Sequence, residues 1–126
     1  MTADEVHNRL LFSTWYSGSP VWTYNVLTDG SASQLLNGPG YSGGQGIAYD
    51  PAVSTIFAGL YYNGLYAYNE GTAQGWQRIV SAAGLSPMIG QRGQVEVDPA
   101  NRHVYFRSAY NGTCDQCRWI WRVDYG

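Results

Sequence analysis

Cys114 and Cys117 are the only two cysteines of this chain, and they stand as Cys-Asp-Gln-Cys. That spacing serves three chemistries. A dithiol redox catalyst places such a pair at a helix N-terminus, where the dipole lowers the thiol pKa. A zinc site needs two further ligands, for which only His7 and His103 supply imidazoles. A local disulfide needs only a loop to staple. The surrounding "RSAYNGTCDQCRWIW" at 107–121 reads as a β-hairpin with a lengthened loop, so the disulfide is the favoured reading. On the same loop Asn111-Gly112-Thr113 is an acceptor sequence for N-glycosylation. The two features together point to an extracellular, secreted or lumenal setting. The polar "TADEVHNR" that follows Met1 is no secretory leader. Export would require one from elsewhere.

Aromatic residues are the second group with binding potential. The chain holds eleven Tyr, five Trp and three Phe. Tyr16, Tyr62 and Tyr110 sit in Tyr-Ser-Gly or Tyr-Asn-Gly stretches, with Trp15 and Tyr61 beside two of them. Flat aromatic faces at repeated turns suit the apolar faces of sugars, and repetition adds avidity. The competing reading is that the turn tyrosines cover their own hairpins. Trp22, Tyr24, Tyr66, Tyr68, Trp119 and Trp121 would then fill the spaces between sheets.

The elements that position these residues follow from internal repetition. "ADEVHNRLLF" at 3–12, "YDPAVSTIFA" at 49–58 and "VDPANRHVYF" at 97–106 align without a gap. Asp4, Asp50 and Asp98 recur at steps of 46 and 48 residues, and Tyr16, Tyr62 and Tyr110 keep the same steps. Short alternating runs at 9–12, 47–49, 55–58, 65–68, 95–97, 104–106 and 119–123 are rich in β-branched and aromatic residues, punctuated by Gly, Asn, Asp, Ser and Pro. Only 77–85 has any helical look, and its Ser-Ala-Ala-Gly half reads as loop. Each unit is a strand ending in Asp, a tight turn, a second strand, a Tyr-Asn/Ser-Gly turn and a third strand, with a fourth clear in the second unit. Asn-Gly supplies the positive φ of a tight hairpin. The three Asp residues are expected to cap the turn after the first strand by accepting backbone N–H bonds, rather than to act as catalytic or metal groups.

Four antiparallel strands repeated every 40–50 residues or so mark a β-propeller blade. The stretches "GIAYDPAVSTIFAGLYYNGLYAYN" and "QVEVDPANRHVYFRSAYNG" resemble blades of the YWTD, NHL and SMP-30-like six-bladed propeller families. The resemblance implies an all-β propeller fragment of about three four-stranded antiparallel blades, at about 1–46, 47–94 and 95–126, the third lacking its fourth strand. The two outer faces are then expected to carry roughly five large apolar residues each, worth about 1.5–3 kcal/mol apiece when buried. The remaining blades of a longer chain, favoured here, or further copies of this one, would cover them. SMP-30-like lactonases hold a divalent cation in the central channel. Glu96 lies in an innermost strand and could face such a channel, but its equivalents are Thr2 and Ala48. Arg92 and Gln45 lie near strand starts.

Composition narrows the classes further. The chain is 126 residues long, 44% hydrophobic and 13% charged, with a formal charge of -2. That is enough for one domain with a true core. All seven basic residues are Arg, and they form no stripe that could track a phosphate backbone, so nucleic acid is not an expected partner. No apolar run spans a bilayer. No glycine-rich phosphate loop follows a strand; "GPGYSGGQG" at 38–46 reads as a connection between blades. The expectation is a non-catalytic interaction module without cofactor or metal that binds protein or glycan. The alternatives are a lectin acting through the rim aromatics and a metal-dependent lactonase.

Overall fold

The computed structural model describes residues 1–13, 21–25, 32–38, 44–60, 64–81, 94–107 and 120–126. These form eleven strands: β1 (Thr2–Asp4), β2 (Arg9–Ser13), β3 (Val21–Asn25), β4 (Ser33–Leu36), β5 (Gly44–Asp50), β6 (Thr55–Leu60), β7 (Gly64–Asn69), β8 (Trp76–Ser81), β9 (Val95–Asp98), β10 (His103–Arg107) and β11 (Ile120–Asp124). They make three sheets in which sequence neighbours pair, β1-β2-β3-β4, β5-β6-β7-β8 and β9-β10-β11, all antiparallel. The fold is all-β, with sheets of four, four and three strands among the described residues, as a propeller fragment would have.

The repeat is also a repeat of backbone geometry. Each first strand ends on its Asp, which pairs across the turn with the first residue of the next strand: Asp4 with Arg9, Asp50 with Thr55 and Asp98 with His103. The last loop residue is left-handed in all three, Asn8 at φ 52°, Ser54 at 49° and Arg102 at 56°. That conformation costs an L-residue about 1–2 kcal/mol, so its recurrence at equivalent sites means the turn imposes it. At the next turn Gly64, closing the Tyr-Asn-Gly stretch, has φ 113°. Glycine adopts this without strain.

The sheets stack in sequence, with β5 lying against β1 and β2 on one side and against β9 on the other. Alternation splits the second sheet's side chains between two cores. Ile47, Tyr49 and Ile56 meet Leu11 and Val21 of the first sheet, with Tyr68 and Trp76 packed alongside. Ala48, Phe57 and Leu65 meet Val95, Val104 and Phe106 of the third, with Trp121 and Val123 alongside. Tyr68 and Trp121 thus pack in the spaces between sheets. The face each sheet turns toward the next has a large residue with small neighbours on the flanking strands. Leu11 stands between Thr2 and Thr23, and Phe57 between Ala48 and Ala67. A bulky side chain on one sheet can then sink into the other.

The fourth strand expected in the second unit is present as β8, paired along β7. One expectation needs correcting: among the described residues the outward face of the third sheet is not apolar. By register, Tyr105 replaces the central Phe57, and its flanks are Glu96 and Arg122 instead of alanines. Of the large apolar residues expected there, Ile120 is present, 73% exposed. The alternation that puts Val95, Val97, Val104 and Val123 inward sends charge outward. The outer face of the first sheet, with Leu10, Phe12, Trp22 and Tyr24 half-buried, is apolar as expected.

Candidate functional site

Each repeated carboxylate caps its turn. Asp4 Oδ1 accepts the N–H of His7 at 3.2 Å, Asp50 Oδ1 that of Ala52 at 2.8 Å, and Asp98 Oδ1 that of Asn101 at 3.2 Å. Pro51 and Pro99, directly after two of them, end the strand because proline has no N–H for the ladder. The second carboxylate oxygen does something the sequence reading missed: in two of the three repeats it ties neighbouring sheets together.

At the junction of the second and third sheets, Asp50 Oδ2 accepts from Arg102 at 2.7 Å and from the Tyr125 hydroxyl at 2.6 Å. The Asp50 side chain is fully buried. At the junction of the first and second sheets, Asp4 Oδ2 accepts from Arg9 Nε at 2.6 Å, and the other end of that guanidinium donates to Glu70 at 2.5 and 2.9 Å. Arg9 also lies over the Tyr49 ring, 5.5 Å from its centre. Glu70 and Tyr125 are equivalent positions, each following the third strand of its sheet. Each is held by its backbone N–H, which donates to the carbonyl of the left-handed loop residue, Ser54 for Glu70 and Arg102 for Tyr125. One backbone bond therefore places a different side chain at each junction: Tyr125 reaches the aspartate of the preceding sheet directly, and Glu70 reaches it through Arg9.

Charge and burial fit this clamp. Burial opposes ionisation of Asp4, but the bonds from Arg9 and His7 outweigh it and hold the carboxyl below its ordinary value. Burial likewise works against the Arg9 cation, and bonds to Glu70 and Asp4 more than offset it. Burial, reinforced by the adjacent Asp50 carboxylate, raises the Tyr125 hydroxyl well above the usual tyrosine range. Asp98 is served by its own loop, Asn101 donating from both backbone and side chain, and the side-chain bond is the main reason its carboxyl sits low.

The outward face of the third sheet carries a surface ion-pair array. Asp124 Oδ1 lies 3.2 Å from His103 Nε2 and 3.2 Å from Arg122 Nε, and the Tyr105 hydroxyl lies 3.4 Å from His103 Nδ1. Glu96 is exposed on this face, paired in register with Tyr105. It also borders a depression of about 110 Å³ where Met1, Ile47 and Val95, equivalent positions of the three repeats, converge. Among the described residues no group of three His, Cys, Asp or Glu is placed to hold a metal ion. Trp15, Tyr16, Tyr61, Tyr62, Tyr110, Asn111, Cys114 and Cys117 lie outside the described residues, as do Arg92, Trp119 and the side chain of Gln45.

No protein-family model matches the chain, and no curated protein matches it either.

Proposed function

We propose that this chain is a non-catalytic, extracellular structural and interaction module, a run of β-propeller blades that binds protein or glycan partners. The observation that carries this reading is the use made of its buried carboxylates. Asp4 and Asp50 are the buried carboxylates among the described residues, and an enzyme of the lactonase type would recruit such groups for chemistry. Here each is engaged by its own turn and by a clamp to the next sheet. The turns at Asp50-Pro51 and Asp98-Pro99, which resemble those of YWTD, NHL and SMP-30-like blades, support the propeller reading. The Cys-Asp-Gln-Cys loop with its glycosylation triplet supports the extracellular one. A further blade or a second copy would meet the apolar outer face of the first sheet.

Calorimetric titration with calcium, manganese and zinc, together with a panel of lactones, tests this reading. The expected outcome is no stoichiometric binding and no turnover, while Asp50→Asn lowers the melting temperature. Cation binding at one equivalent with lactone hydrolysis, both lost in Asp50→Asn, would instead establish the metal-dependent alternative.

A further inference from the structure

We infer that Asn37 is a site of self-modification: its carboxamide is converted, through a cyclic imide with the Gly38 nitrogen, to aspartate and isoaspartate, and the conversion unfastens a latch between the first two sheets. Neither the chemistry nor the latch depends on what the module binds.

The latch follows from the end of β4. Val21 pairs with Leu36 and Trp22 with Gln34, so Leu35 is an extra residue in that strand. In a regular strand, residues three apart point to opposite faces. The extra residue returns the two to one side, and Gln34 Nε2 donates to Asn37 Oδ1 at 2.8 Å. The Asn37 carbonyl in turn accepts the indole N–H of Trp76, the first residue of β8, at 2.8 Å. Trp76 packs on Tyr68 with ring centres 5.4 Å apart, against the core between the first and second sheets. A backbone oxygen that follows one sheet thus holds a core-flanking side chain of the next.

Asn37 is exposed and stands just past the last paired residue of β4. Among the described asparagines it is the one followed by glycine; the others precede Arg, Val or Glu. That matters because ring closure brings the next residue's nitrogen against Asn37 Cγ, and a successor without a Cβ leaves the approach open. The Gly38 nitrogen gives its proton to solvent and bonds to Cγ, the Cγ–Nδ2 bond breaks, and Nδ2 leaves as ammonia. Water then opens the ring at Cγ to give aspartate, or at the backbone carbonyl carbon to give isoaspartate. The net change is carboxamide plus water to carboxylate plus ammonium. The Gln34 bond assists, because a donor on Oδ1 stabilises the charge that this oxygen gains as the ring closes.

The latch and the reaction oppose each other. The Asn37 carbonyl and the Gly38 nitrogen share one rigid peptide plane, and the indole bond resists turning that plane toward Cγ. The net strength of one hydrogen bond corresponds to about a two- to tenfold faster reaction once the latch is open. Reaction in turn destroys the latch. In isoaspartate the former Asn37 carbonyl is a free carboxylate outside the chain, and the backbone is longer by a methylene group, so Trp76 loses its acceptor. Each opening of the junction therefore exposes it to a change that does not reverse.

The test ages the folded protein in mildly alkaline buffer and maps its peptides by mass spectrometry, with isoaspartyl methyltransferase marking isoaspartate. Asn63 and Asn111, each also followed by glycine, serve as references within the same sample. Residue 37 should acquire isoaspartate, and Trp76→Phe should speed the conversion about two- to tenfold at residue 37 alone. Gln34→Ala should slow it; an equal or faster rate removes the assisting bond from the proposal. Ageing should lower the melting temperature of wild type more than that of Asn37→Gln, which keeps the backbone carbonyl but would have to close a larger, slower ring. The inference is overturned if residue 37 keeps its amide in the folded protein, if Trp76→Phe leaves its rate unchanged or raises all three rates alike, or if aged Asn37→Gln melts no higher than aged wild type.

Discussion

Among the described residues Asp50 receives three hydrogen bonds, from Ala52, Arg102 and Tyr125, and of these the first is local in sequence. Removing the Tyr125 hydroxyl would leave a buried carboxylate with one donor fewer, so Tyr125→Phe should destabilise by about 1.5–3 kcal/mol in denaturant titration. Arg102→Ala acts on the same oxygen, so the double variant should fall short of or exceed the sum of the single ones. Strict additivity would show that the two donors do not share a function. The pH dependence belongs to this scale too. Asp4 is held below its ordinary 3.8, so its contribution is present above that value and is lost as the pH falls through the depressed one. The melting temperatures of wild type and Asp4→Asn should therefore differ at neutral pH and converge under acid. A constant gap down to about pH 2 would remove Asp4 from the account. The capping half of these roles was legible in the Asp-Pro and Asp-Glu pairs at fixed spacing. The clamping half was not, because Glu70 and Tyr125 share a position but no chemistry, and their partners lie 61 and 75 residues away.

At the scale of the element, the turn after each first strand is a single design with three sequences. Its left-handed fourth residue is Asn8, Ser54 or Arg102, and the substitutions should separate backbone from side-chain roles. Ser54→Gly relieves the strain at some cost in chain entropy and should change stability by less than about 1 kcal/mol. Arg102→Gly relieves the same strain but removes a bond to Asp50, so it should be clearly destabilising. Equal effects of the two would mean that the φ angle, not the clamp, governs the turn. Strand identities were readable where residues alternate, as in Val104-Tyr105-Phe106. They were harder to read in β4, whose Ser-Gln-Leu-Leu has no period of two, and in β8, where the register shift at Ile79 breaks it. The same alternation in Val95-Glu96-Val97 and Trp121-Arg122-Val123 announced a charged face, which the average hydrophobicity of the repeat concealed.

For the whole molecule, the two outer faces are unlike. The first sheet offers Leu10, Phe12, Trp22 and Tyr24, whereas the third offers Glu96, Tyr105, Arg122 and Asp124. Light scattering under non-reducing conditions should find a monomer or one discrete small assembly, and Glu96→Ala with Arg122→Ala should add heavier species as concentration rises. A wild-type ladder of masses would contradict this. The flanking pair Glu96 and Arg122 has a further consequence. Head-to-tail addition of copies is the geometry that produces open filaments when the rotation does not close. Such growth needs every incoming sheet to find a central large residue between two small ones. Both internal junctions present that seat, whereas the outward face of the third sheet sets Glu96 and Arg122 beside Tyr105 in its place. Two copies of this chain are therefore not expected to add head to tail there while both charges stand.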